Sequence, residues 1–250
     1  MQDQATVTRI LKIINSPLYG MTTKVTSISK SIMLLGINEI KNIILSLSIV
    51  DFFAPSDENS TQNKNTNKYM VEIWKHSIAV GVINHQLGVI LKIRDLENCF
   101  IAGLTHDIGK LFFITSFPSL YSEVIDEVKT RQIDLYTAER NAFGFDHDTV
   151  GDFLAKKWKL PLTIQNAVKY HHRYNVNNSD KLSACVHLAN TMAKCMSLGD
   201  SFENEIIQPN EEIWNVLNWP INIPIYSLRN VIVNSYRQSL SMLGNRTIET

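Results

Sequence analysis

The chain is poor in the features that mark a secreted, membrane-bound or nucleic-acid-coating protein. Its 250 residues include three cysteines, Cys99, Cys185 and Cys195, with no CxxC pairing. That is too few for a disulfide framework and suits a reducing, cytoplasmic compartment. No apolar run is long: the stretch from Ile43 to Val50 is about half of the roughly 18 residues needed to cross a bilayer. The N-terminus carries Asp3, Arg9 and Lys12 among its apolar residues and so lacks the unbroken core of a secretion signal. Charge of one sign is missing as well, since 24 basic residues offset 24 acidic ones. No general field draws the chain to phosphate backbones or anionic lipid, which argues against nucleic acid and membrane as partners. Period-two alternation and fixed-period repeats are also absent, so strands and solenoids are not expected.

What is present is helix-forming material. A hydrophobic fraction of 44% is enough to fill the interior of a globule of this length. Val7, Ile10, Leu11 and Ile14 share one helical face, which ends at Asn15-Ser16-Pro17 and Gly20. Ser27 to Leu35 and Asn38 to Phe53 read as two more helices parted by Gly36. The second is too apolar to read DNA as a helix-turn-helix would require. Residues 54–68 (APSDENSTQNKNTNK) offer almost nothing to bury and read as a linker or surface loop. Helical patterns then follow at 69–91, 95–117, 121–131, 137–142, 148–158, 161–170 and 181–196. Ser201 to Pro224, with three prolines, reads as an irregular crossing segment before a closing helix over 226–243. The expected fold class is all-α, with an N-terminal lobe over 1–53, a main lobe over 69–198 and a final segment over 199–250.

Several polar residues stand on faces that should be buried. The segment CFIAGLTHDIGKLFFI (99–114) is apolar nearly all round, yet it contains His106, Asp107 and Lys110. A buried carboxylate without partners costs several kcal/mol, so these groups must be paired, hydrogen-bonded or bound to a cation. His76 lies in the stripe of Ile73, Ala79, Val80, Ile83 and Leu87, and His147 lies in line with Val150, Gly151 and Leu154. His171 and His172 end the helix that begins at Pro161, and Asn190 sits with Leu182, Val186, Ala189 and Ala193. Any one such residue is ordinarily a satisfied core side chain. Five segments all pointing a donor inward suggest a shared centre for zinc, iron, manganese or a similar ion, with Asp107 able to bridge two. Two ions could activate water against a phosphoryl group, with Asp107 and Lys110 as the catalytic candidates. His85 and His187 lie off these stripes and are expected to be partly exposed. Glu72 and the LysLysTrpLys run at 156–159 read as solvated helix surface, and the cysteines as small core residues.

These residues resemble the HD superfamily of metal-dependent phosphohydrolases and, more narrowly, the HDOD family related to the HD-GYP proteins. The segments that carry the resemblance are ILKIINSPLYG (10–20), KVTSISKSIMLLGINEIKNIILSLSI (24–49), FIAGLTHDIGKL (100–111), FGFDHDTVGDFLAKKWKLP (143–161) and the histidine pair at 171–172. It implies a bacterial-type signal-transduction output module. The metal positions would be His76, His106, Asp107, His147, His171 and His172, with Asn190 in place of the superfamily's last aspartate. An amide oxygen can ligate but brings no charge, which lowers affinity for a divalent ion. The sequence after His172 holds no Gly-Tyr-Pro segment, so cyclic-dinucleotide hydrolysis is not implied. The resemblance further implies that the N-terminal lobe starts one or two helices in. Two readings follow: a module that acts by binding a signalling protein or a phosphate-containing small molecule, and an active metal-dependent phosphohydrolase.

Overall fold

The computed structural model describes residues 7–8, 10–12, 14–15, 21, 23–37, 40–41, 43–44, 48, 64–174, 177, 180–219 and 225–243. Eleven helices and no strand occur among them. The chain divides into two compact units, one formed by Met1–Ala54 with Ile223–Thr250, the other by Pro55–Asn222.

In the first unit, Ile10, Ile14, Val25, Ile40 and Ile43 form a buried cluster. Asn15 ties its turn together: its amide donates to the Val25 carbonyl oxygen at 2.7 Å, and its own oxygen accepts from Val25 N–H at 2.7 Å. Helix α1 (Ile28–Leu35) starts where Ser27 accepts from Lys30 N–H and stops at Gly36, whose φ is 87°. The expected turn residues 16–17 and 20, and most of 45–63, lie outside the described residues.

The second unit holds α2 (Lys64–Ile90), α3 (Leu96–Thr105), α4 (Ile108–Ser116), α5 (Pro118–Arg131), α6 (Leu135–Phe143), α7 (His147–Lys157), α8 (Leu162–Tyr170), α9 (Lys181–Cys195) and α10 (Glu211–Leu217). Helix α11 (Ile225–Leu243) belongs to the first unit. The expected linker is helical from Lys64 onward, so its last five residues are the first turn of α2 rather than loop. The proline-punctuated stretch, expected to be irregular throughout, contains α10, capped by Asn210, whose side chain accepts from Ile213 N–H. That cap is a local signal which the prolines obscure. Helices α2 and α3 lie against each other backbone to backbone. A Cβ on Gly103 would come within 2.7 Å of the Gly81 backbone, so only glycine permits the approach that brings His76 and His106 together.

The expected single helix over 95–117 is broken between α3 and α4, at His106 and Asp107. On a continuous helix neighbouring side chains diverge by about 100°. Here Asp107 sits at φ −98° and ψ 21° and makes no capping bond to α4. The break lets two consecutive side chains serve one centre.

Candidate metal centre

His106 lies at the end of α3, and its Nδ1 donates to the Gly103 carbonyl at 2.7 Å. His171, at the end of α8, donates from Nδ1 to Val168 at 2.8 Å. Each local bond fixes the tautomer and turns the Nε2 lone pair inward. Both Nε2 atoms are fully buried and have no hydrogen-bond partner, as is true of Asp107 Oδ1, Asp148 Oδ1 and His76 Nδ1. Unsatisfied donors of this chemistry, gathered in one buried place, fit a transition metal.

Two overlapping groups have the spacing to hold an ion: Asp107 with His147, His171 and His172, and Asp107 with His76 and His106. Asp107 is common to both. Its Oδ1 lies 3.3 Å from His171 Nε2 and 3.8 Å from His147 Nε2, while Oδ2 lies 3.3 Å from His106 Nε2. Lys110 is fully buried and donates to Asp107 Oδ2 at 2.9 Å, to the Ser201 carbonyl at 3.2 Å and to Glu203. Lys110 is thus one of the paired groups that burial in this apolar segment requires. Lys194 also donates to Glu203, whose Oε1 is 3.3 Å from His172 Nε2. Burial works to raise the Asp107 carboxyl, but His106 and Lys110 hold it well below the usual range. Burial opposes charge on Lys110, yet Asp107 and Glu203 raise it.

Asn190 accepts from His76 Nε2 at 2.9 Å, so the two residues expected as joint ligands are bonded to each other. Burial, with His106 beside it, pulls the His76 ring down to about 3 and keeps it neutral. His85 and His187, expected to be partly exposed, are buried. Helix α9 is buried on part of its polar side too, where Ser183 also faces the interior. His187 Nδ1 donates to the His171 carbonyl at 2.7 Å and so braces the backbone of a candidate ligand. Glu72 stays outside the centre, paired with Lys75 at 2.8 Å.

Four residues of the centre are absent from the expected set: Glu139, Asp148, Lys194 and Glu203. Glu139 is fully buried on α6, accepting from Tyr121 OH at 2.7 Å and from both the backbone N–H and the Nδ1 of His147, at 2.8 and 2.6 Å. Asp146 caps the start of α7 by accepting from Thr149 N–H at 2.9 Å, which places His147 in the first turn. Only Asp148, beside His147 in the sequence FDHDTVG, left a readable signal: a second His-Asp pair.

Burial disfavours charge on His147, but Glu139 overrides it and raises the ring to about 9. In metal-free protein the stability from this pair is therefore fully present below about pH 6.5 and lost as pH rises through about 9. Glu139→Gln should flatten that decline, measured as unfolding free energy against pH in chelator. It should also weaken metal binding by about 10- to 100-fold, because the ring loses the carboxylate that orients it. A steep decline persisting in the variant would count against this coupling.

An all-helical unit thus gathers a carboxylate and histidines from several helices around one buried point. The HDOD domain family matches residues 1–174, and the chain belongs to it. An uncharacterised protein of Treponema pallidum (strain Nichols) is 24% identical over 174 residues, 68% of this chain and 32% of that protein's length. Among solved structures, an HDOD protein of unknown function from Geobacter sulfurreducens is 25% identical, with a TM-score of 0.64 over 99% of this chain and 83% of that one. A protein of Shewanella amazonensis SB2B, provisionally named a phosphohydrolase, shares the fold at 19% identity, with a TM-score of 0.68 over 97% and 83% of the two chains. Among the described residues no helix is long and apolar enough to cross a membrane.

Proposed function

We propose that this chain is an HDOD-type signal-transduction output module that acts by binding, with one divalent ion of manganese, iron or zinc at its centre. The observation that carries this reading is the 2.9 Å bond between His76 and Asn190. In the half of the centre nearest His76, a neutral amide stands where a carboxylate would bring charge, and it already uses one imidazole nitrogen. The opposite half keeps Asp107 Oδ1 and His171 Nε2 open. A bound ion would supply polarisation of a phosphoryl oxygen. The residues around it do the positioning: Glu139 orients His147, Val168 orients His171, and Lys110 balances Asp107 and Glu203.

The ligand we favour is a phosphate-containing small molecule or a signalling partner that presents one. A cleft of about 160 Å³ opens beside the centre, lined by Tyr136, His147, His172, Arg173 and Glu203 among others. Arg173 stacks on Tyr136 at 3.5 Å, placing at the rim the guanidinium that suits phosphate recognition. The same cleft favours the second reading, an active phosphohydrolase. Elemental analysis should find about one ion per chain. Assays with bis(p-nitrophenyl) phosphate and p-nitrophenyl phosphate in added manganese or iron should show no turnover. Turnover that His106→Ala abolishes would overturn the binding reading.

A further inference from the structure

We propose that Asp148 is a metal ligand, completing with Asp107, His147 and His171 a set of two carboxylates and two imidazoles. The proposal rests on the reading that this half of the centre holds an ion.

Asp148 is 6% exposed, and its Oδ1 is inaccessible and has no hydrogen-bond partner. The usual duty of an acid in a first helical turn, to serve the free backbone N–H groups, is already met at α7 by Asp146. Hiding a second carboxylate there without a partner costs several kcal/mol unless something offsets it. The oxygen faces two histidine nitrogens: it lies 3.3 Å from His147 Nε2 and 3.6 Å from His171 Nε2. Those nitrogens are in turn 3.8 and 3.3 Å from Asp107 Oδ1. The four atoms therefore close a ring, Asp107, His171, Asp148, His147.

An ion bonded to nitrogen and oxygen at about 2.0–2.2 Å holds neighbouring donors roughly 3.0 Å apart at right angles and about 3.4 Å apart in a tetrahedron. The four edges of the ring, 3.3, 3.6, 3.3 and 3.8 Å, come within about 0.4 Å of the tetrahedral spacing. Both imidazoles bond a local acceptor through Nδ1, at Glu139 and Val168, and so direct Nε2 inward; that of His171 has no partner, and that of His147 lies 3.0 Å from His172 Nε2, a bond an ion would replace. The second carboxylate supplies the negative charge that Asn190 lacks, from a different helix and on the opposite side of Asp107. Two carboxylates with two imidazoles suit manganese or iron better than a thiolate-preferring ion.

The test compares chelator-treated wild type, Asp148→Asn and Asp148→Glu for Mn(II) affinity, and for the visible spectrum of Co(II) bound in its place. Asp148→Asn should lose at least tenfold in Mn(II) affinity and shift the Co(II) bands. Asp148→Glu, which keeps the carboxylate, should recover part of both, and metal-free melting curves control for folding. Wild-type affinity and an unchanged Co(II) spectrum in Asp148→Asn would overturn the assignment while leaving the metal reading in place. Failure of the wild type itself to bind Mn(II) or Co(II) would instead overturn the metal reading and this proposal with it.

Discussion

Replacing Lys110 with methionine should lower the unfolding free energy of chelator-treated protein by about 3–5 kcal/mol, the usual cost of removing one partner from a buried ion pair. Lys110 is fully buried between Asp107 and Glu203, and no water reaches it to take over its role. Methionine fills nearly the same volume, so little of the loss comes from packing. What remains is two carboxylates with less counter-charge, Glu203 keeping Lys194 and Asp107 keeping only imidazoles. Adding Glu203→Gln to the variant should restore part of the stability, because it removes one of the stranded charges. A urea titration of the two variants measures this directly, and an unchanged midpoint for Lys110→Met would mean that the ammonium is not the balancing charge. Divalent metal should rescue the single variant more than the wild type, since the ion replaces the missing positive charge.

Gly109→Ala should be among the most damaging small substitutions in the second unit. A Cβ at this position would stand 2.8 Å from the His147 carbonyl carbon and closer still to its oxygen. Backbone on both sides leaves nothing flexible to yield, so α4 and α7 would have to separate at the point where Asp107 and His147 meet. We expect a loss of about 3 kcal/mol, at the upper end of overpacking costs, together with loss of metal uptake. Gly144→Ala is the control. It has nothing within 4 Å but a φ of 81°, so it should cost only about 1 kcal/mol of backbone strain and leave metal uptake intact. Equal losses in the two variants, read from thermal melts and metal content, would argue that close contact between these helices does not hold the centre.

Helical periodicity was enough to place most of the second unit, because long amphipathic or fully apolar stretches fold as their spacing dictates. It was also enough to turn His76, His147 and Asn190 inward by their stripes, while His106 lies in a segment apolar all round and His171 ends a helix; all five are buried. The break at His106 and Asp107 was hidden, because the segment on either side is apolar all round and local propensity gives no reason to stop. Glu139 was hidden for a different reason: its role depends on α6 and α7 folding back across Gly144, a tertiary fact that brings a carboxylate to a histidine eight residues away. Glu203 comes from a stretch without periodicity, where no face can be read, and Lys194 meets it only through the fold. His85 and His187 lie off the apolar stripes yet are buried, since a position off the stripe meets solvent only when nothing packs on it.

The measurement that bears most directly on the whole account is an anomalous difference map from crystals grown with Mn(II). One strong peak is expected within bonding distance of Asp107 Oδ1, His147 Nε2 and His171 Nε2. A featureless map at that point, with manganese elsewhere on the surface or nowhere, would contradict it.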